Sequence, residues 1–149
     1  MLHIGMIGYG YWGPNLLRNF VKVQDCRVVM VADQDATKRE HVQQTYPGIE
    51  TVSDGAEVLN NPDIHAVVIA TPISTHYALA KAALKNGKHV LVEKPMTASL
   101  AHAADLVRIA EQKRLTLMVD HTFVYTGAVQ KIRELIDSIE LDASEGASQ

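Results

Sequence analysis

The amino-acid sequence predicts an α/β protein, a doubly wound and mostly parallel sheet with helices on both faces. Three observations carry that expectation. Short β-branched runs alternate with longer stretches of helical period, as they do where crossover helices join parallel strands. The run Val28-Val29-Met30-Val31 is apolar at every position, which suits a strand covered on both sides. The chain has 149 residues, 47% hydrophobic and 21% charged, enough to bury one core and far from the composition of a disordered chain.

Leu2 to Ile7 reads as the first strand, and Pro14 to Val23, with Leu16, Leu17 and Phe20 on one side, as the first helix. Arg27 to Ala32 is a buried second strand, and Asp35 is placed to cap a helix running to Gln44. After Pro47-Gly48 comes a weak segment, Glu50 to Val52, then a short amphipathic stretch, Ala56 to Leu59, closed by Asn60-Asn61-Pro62. Ala66 to Ala70 is a central strand, and Thr71-Pro72 leads into a helix from Thr75 to Lys85 that stops at Asn86-Gly87. Lys88 to Val92 is the next strand, ending in Glu93-Lys94-Pro95. Thr97 or Ser99 caps a helix in which Leu100, Ala103, Val107 and Ala110 keep helical spacing. Leu115 to Val119 is the last strand. Gly127 to Ile139 is a last helix with Val129, Ile132, Ile136 and Ile139 on one stripe, and the polar end from Asp142 to Gln149 is expected to fray.

Charge and composition remove several function classes. A net charge of -3 and a pI near 6.1 supply no basic field for a phosphate backbone, so no nucleic-acid partner is expected. The longest apolar run, Ala66 to Ala70, is far short of the roughly 20 residues that span a bilayer, so no membrane segment is expected. The single cysteine and the start MLHIGMIG, without a basic and apolar leader, point to a cytoplasmic protein. Cys26 reads as a small core residue, and the seven histidines show no pair at metal-ligand spacing, so no metal is expected. His41 and His102 read as solvated surface residues.

Gly8-Tyr9-Gly10-Tyr11-Trp12-Gly13 has the form G-x-G-x-x-G. Glycine is common, so the string gains meaning from its context: it ends a predicted strand, opens a predicted helix, and is followed about 20 residues later by an acid, Asp33, at the end of the second strand. Gly8 permits the tight turn, Gly10 lets the backbone approach a pyrophosphate, and Gly13 lets helix and strand pack closely. The phosphates would rest on free N–H groups at the helix N-terminus, where Pro14 needs no N–H of its own. Asp33 would accept hydrogen bonds from the adenosine ribose and repel a 2′-phosphate, so NAD is expected over NADP. Lys38 and Arg39 soften that preference, since a swung cation can meet a phosphate. A site for S-adenosylmethionine also places an acid after a second strand, though usually without the third glycine in this register. Thr71, Pro72, Glu93, Lys94, Pro95, Asp120 and His121 all fall at the carboxyl ends of predicted strands, the edge where open α/β sheets bind ligands.

With these residues in place the chain resembles the nucleotide-binding half of the glucose-fructose oxidoreductase, inositol dehydrogenase and MocA family (Gfo/Idh/MocA). The resemblance rests on Gly8 to Pro14, Ala32-Asp33, Ala70-Thr71-Pro72 with His76, and Glu93-Lys94-Pro95 in register after the fifth strand. It implies a Rossmann domain over 1–125 and a hydride transfer between NAD(H) and a sugar, inositol or nucleotide-sugar hydroxyl. Tyr11-Trp12-Gly13-Pro14-Asn15 is similar to members acting on nucleotide sugars. Lys94 is the residue that the family would place beside the nicotinamide and the reacting hydroxyl. Tyr11 and Trp12 join the glycines in the phosphate loop, with the Trp12 ring expected to pack beside the first helix. Glu93 would face the nicotinamide ribose, Thr71, Pro72 and His76 would line the cofactor cleft, and His121 stands at the same edge. Family members carry a second α+β domain that holds a small sugar-like substrate. No stretch of these residues reads as that domain: 126–141 is a helix leading toward it and 142–149 a polar tail. A non-catalytic NAD-binding module, or a truncated product, is therefore the alternative expectation, and the Val129 to Ile139 stripe offers a surface for self-association.

Overall fold

The structure, a computed structural model, describes residues 1–146. Six strands, β1 (Leu2–Ile7), β2 (Cys26–Ala32), β3 (Glu50–Val52), β4 (Ala66–Ile69), β5 (His89–Glu93) and β6 (Leu117–Asp120), form one sheet. Its order is β3-β2-β1-β4-β5-β6, and every pairing is parallel. The connections are α1 (Gly13–Phe20), α2 (Ala36–Thr45), α3 (Gly55–Asn60), α4 (Ile73–Lys85) and α5 (Leu100–Lys113). A 3₁₀ turn at Thr122–Tyr125 leads to α6 (Gly127–Gly146). The expected α/β class holds in full: this is a doubly wound Rossmann sheet.

Both faces of the sheet are buried. Leu17 of α1 and Val42 of α2 cover one face over Ile4, Met6, Val28 and Val31. Val58 and Leu59 of α3, Ala80, Ala83 and Leu84 of α4, and Leu106, Ile109 and Ala110 of α5 cover the other. The central strands are apolar on both sides because neither side meets water. Asp35 caps α2 by accepting from the Thr37 N–H at 2.9 Å, and Ser99 rather than Thr97 caps α5 by accepting from the His102 N–H at 3.2 Å.

Several boundaries move for local reasons. Helix α1 gives way after Phe20 to tighter bonds, Lys22 N–H to the Asn19 carbonyl and Val23 N–H to the Phe20 carbonyl, so Val21 to Val23 are not α-helical. Helix α4 begins at Ile73 with Pro72 as its N-cap, where the missing N–H costs nothing. The last strand begins at Leu117 rather than Leu115, because the Leu115 N–H closes the end of α5 on the Ala110 carbonyl while Arg114 turns left-handed at φ 55°. On α5 the buried stripe is Leu106, Ile109 and Ala110; Leu100 and Val107 are exposed, contrary to expectation. Helix α6 runs past Ile139 to Gly146, so the expected tail is helical as far as it is described. Residues 147–149, and the side chains from Ile139 on, lie outside the described residues.

Every residue from His121 to Ser138 is exposed, so Val129, Ile132 and Ile136 do not fold back on the core. Among the described residues, no helix is long and apolar enough to cross a membrane.

Candidate functional site

The carboxyl ends of β1, β2 and β4 open into a cleft of about 820 Å³ at the point where the sheet order reverses between β1 and β4. Gly8 turns the chain out of β1 at φ +96°, and its N–H donates to the Ala32 carbonyl at 2.8 Å. A Cβ there would come within 2.6 Å of the Ala70 carbonyl oxygen, so the turn and its closeness to β4 both require glycine. A Cβ on Gly10 would meet no heavy atom within 4 Å, and Gly10 lines the cleft. Its bareness serves nothing in the fold and leaves the backbone open to a ligand. At Gly13 a Cβ would press on the Gly8 carbonyl oxygen at 3.0 Å and the Tyr9 ring at 3.3 Å, the close helix–strand packing expected of the third glycine.

Asp33 ties the loop to β2. Its carboxylate accepts from the Tyr9 N–H at 2.6 Å and from the Asp35 N–H at 2.9 Å. Lys38 Nζ stands 3.8 Å from the same carboxylate, and the Arg39 guanidinium donates to the carbonyls of Asp33 (2.7 Å) and Gln34 (2.9 Å). Lys38 therefore lines the end of the cleft where a ribose phosphate would arrive, while Arg39, which does not line it, is held on the backbone beside it. Sequence reasoning missed Tyr9, which is buried beneath the loop; burial and the neighbouring Tyr46 push its phenol up from 10.0. Tyr11 and Trp12 stand 87% and 40% exposed and meet edge-on, with ring centroids 5.3 Å apart, so the Trp12 ring is less packed than expected. Ser53, Asp54 and Gly55, after β3, also line the cleft and were missed. The available signal was Asp54, which caps α3 by accepting from the Ala56 N–H at 2.8 Å.

Thr71 and Pro72 line the same cleft beside Thr75, whose hydroxyl donates to Thr71 Oγ1 at 2.7 Å. His76 does not line it. The ring is 1% exposed, with Nε2 2.7 Å from the Thr71 carbonyl oxygen and Nδ1 3.0 Å from the Pro95 carbonyl oxygen. Lys94 and His121 line a separate pocket of about 260 Å³, at the carboxyl ends of β5 and β6, with Pro95, Asp120, Thr122, Phe123 and Val124. The Lys94–Pro95 peptide bond is cis. Glu93 lines neither space: it is 7% exposed, and its carboxylate accepts from the Lys94 N–H at 3.2 Å. Burial pushes the Glu93 carboxyl up, and Asp120, opposite it in the β5–β6 register, pushes the same way by its charge and by a hydrogen bond. Among the described residues, no three His, Cys, Asp or Glu side chains converge as metal ligands would.

The family model described as an oxidoreductase family with an NAD-binding Rossmann fold matches residues 2–121. An uncharacterised oxidoreductase of Escherichia coli (strain K12), YdgJ, is 36% identical over 80% of this chain and 34% of its own length. The scyllo-inositol 2-dehydrogenase (NADP(+)) IolW of Bacillus subtilis is 30% identical over 95% of this chain and 39% of its own. The crystal structure of a biliverdin reductase from Synechocystis, in complex with biliverdin and NADP+, superposes with a TM-score of 0.85 at 28% identity, over 91% of this chain and 43% of that one. The chain thus spans between a third and about two fifths of the length of these relatives. Cleft, phosphate loop and sequence match agree: the chain belongs to the Gfo/Idh/MocA oxidoreductase family and carries its NAD(P)-binding Rossmann domain.

Proposed function

We propose that this chain is the cofactor half of a dehydrogenase that prefers NAD(H) to NADP(H) and acts on a hydroxyl of a sugar, inositol or nucleotide sugar. The observation that carries the reading is the cleft at the β1–β4 switch point, where Gly10 leaves open backbone and Asp33 sets the far end. The residues fit a dinucleotide. Gly8, Gly10 and the N-terminus of α1 would hold the pyrophosphate, Asp33 the adenosine ribose, and Thr71 and Pro72 the other half. When bound, the cofactor supplies a site that accepts or returns a hydride.

Lys94 is the catalytic residue of this reading. Lys94 lines the pocket beside β5 and β6, where its ammonium would hydrogen-bond the reacting hydroxyl oxygen and stabilise the negative charge that develops on it. Glu93, buried and outside both spaces, holds the Lys94 amide rather than facing a nicotinamide ribose. The substrate class is supported by the relation to the B. subtilis scyllo-inositol 2-dehydrogenase. A second reading, an NAD-binding module without turnover of its own, is favoured by one observation: Lys94 and all residues from His121 to Ser138 are exposed, so nothing described here shuts water from that pocket.

The test is a parallel titration with NADH and NADPH, following quenching of Trp12, the single tryptophan, at the N-cap of α1. Saturable quenching, tighter for NADH, is the expected result. Absence of binding by both fluorescence and calorimetry overturns the reading.

A further inference from the structure

We propose that His76 is a positioning residue that sets the place of Lys94, its imidazole acting as a strut between the turn after β4 and the turn after β5. Lys94 is exposed, and its side chain makes no hydrogen bond or ion pair among the described residues, so what the fold fixes is the place of its backbone. That backbone is held from two sides. The Glu93 carboxylate accepts from the Lys94 N–H, and one residue later the Pro95 carbonyl lies 3.0 Å from His76 Nδ1.

The other end of the strut is equally well defined. His76 Nε2 lies 2.7 Å from the Thr71 carbonyl, in the turn that lines the large cleft. A neutral imidazole carries one N–H, so it donates to only one of the two carbonyls; both contacts are hydrogen bonds when both nitrogens are protonated. The ring stands in the first turn of α4 and is walled from solvent, and neither nitrogen is free for a ligand. One buried side chain thus bridges the turn that lines the cleft and the turn that carries Lys94, donating to one carbonyl and in contact with the other. The strut follows from geometry alone; its bearing on hydride transfer rests on the function proposed above.

The test uses the whole chain with His76→Ala and His76→Asn. In the ligand-free protein, His76→Ala is expected to speed amide hydrogen exchange at Lys94, whose N–H is held by the Glu93 carboxylate, at least ~10-fold, without change in β1 and β2. His76→Asn, which keeps one donor, is expected to recover part of that protection. Equal acceleration across the sheet, or none at Lys94, overturns the proposal. A ligand readout follows: His76→Ala should weaken NADH while leaving ADP, which reaches only the loop and the Asp33 end, unchanged. Equal weakening of both ligands also overturns it. If the wild type binds neither ligand, the proposed function fails, while the exchange result still decides the strut.

Discussion

Gly8 and Gly10 stand two residues apart in one loop, yet a side chain at each has a different effect. At Gly8 the backbone is at φ +96°, and a Cβ would lie 2.6 Å from the Ala70 oxygen and 2.7 Å from the Ala70 carbonyl carbon. The left-handed conformation costs an L-residue about 1–2 kcal/mol, and overpacking against backbone about 1–3 kcal/mol more. Gly8→Ala is therefore expected to lose roughly 2–5 kcal/mol, a large part of the roughly 5–15 kcal/mol that holds a domain together. At about 3 °C per kcal/mol this lowers Tm by roughly 6–15 °C. Gly10→Val meets no heavy atom within 4 Å of its Cβ, so its stability is expected to stay within about 0.5 kcal/mol of wild type. Its branched side chain projects where a pyrophosphate would lie. Losing two charge-assisted amide bonds, about 3 kcal/mol or more, weakens ADP and NADH at least about 100-fold. The assay is urea unfolding of both variants alongside calorimetry with ADP. Wild-type ADP affinity in Gly10→Val would remove the phosphate-loop assignment, and a Gly10→Val stability loss matching that of Gly8→Ala would refute the division of roles.

Asp33→Ala leaves the Tyr9 and Asp35 amides without their acceptor, a loss of roughly 1–3 kcal/mol, and should narrow the NADH-to-NADPH affinity ratio; an unmoved ratio would assign discrimination to Lys38 and Arg39. Lys94→Ala removes no packing contact of the cleft, so NADH affinity should hold within about threefold, or under 1 kcal/mol; a collapse of binding in the titration would make Lys94 a cofactor anchor. Because burial and Asp120 raise the Glu93 carboxyl above 4.5, the folded state favours its neutral form. The stability tied to it is complete below that value and declines as pH rises through the raised one. Glu93→Gln should therefore gain stability relative to wild type between acid and mildly alkaline urea titrations, and a constant difference would refute this. Lys88, buried with Nζ donating to the carbonyls of Asn61 at 2.6 Å and Ile64 at 2.8 Å, is a strut at the opposite end of the sheet. Lys88→Met should cost about 1–3 kcal/mol for each carbonyl stranded, and an unchanged Tm would show that those carbonyls find other donors.

What the sequence by itself determined is what neighbouring residues enforce. Glycine sterics at Gly8 and Gly13, the acid ending β2, the doubly apolar Val28 to Val31 and the cap Asp35 act over a few residues, so their pattern is visible along the chain. The line of Thr71, Glu93, Lys94 and His121 at one sheet edge followed as well, because in a parallel sheet every strand ends at the same side. What the tertiary structure decided depends on residues far apart. The inward turn of His76 needs Pro95, 19 residues on; the burial of Tyr9 goes with Val42 and Tyr46, far along the chain; the brace beneath Lys88 needs Asn61, 27 residues back. Helical spacing shows that α5 and α6 have an apolar stripe, but only packing decides which stripe is covered. In α5 the cover falls on Leu106, Ile109 and Ala110 rather than on Leu100 and Val107, and in α6 Val129, Ile132 and Ile136 remain exposed. Periodicity is a property of one element, whereas burial belongs to two surfaces that meet.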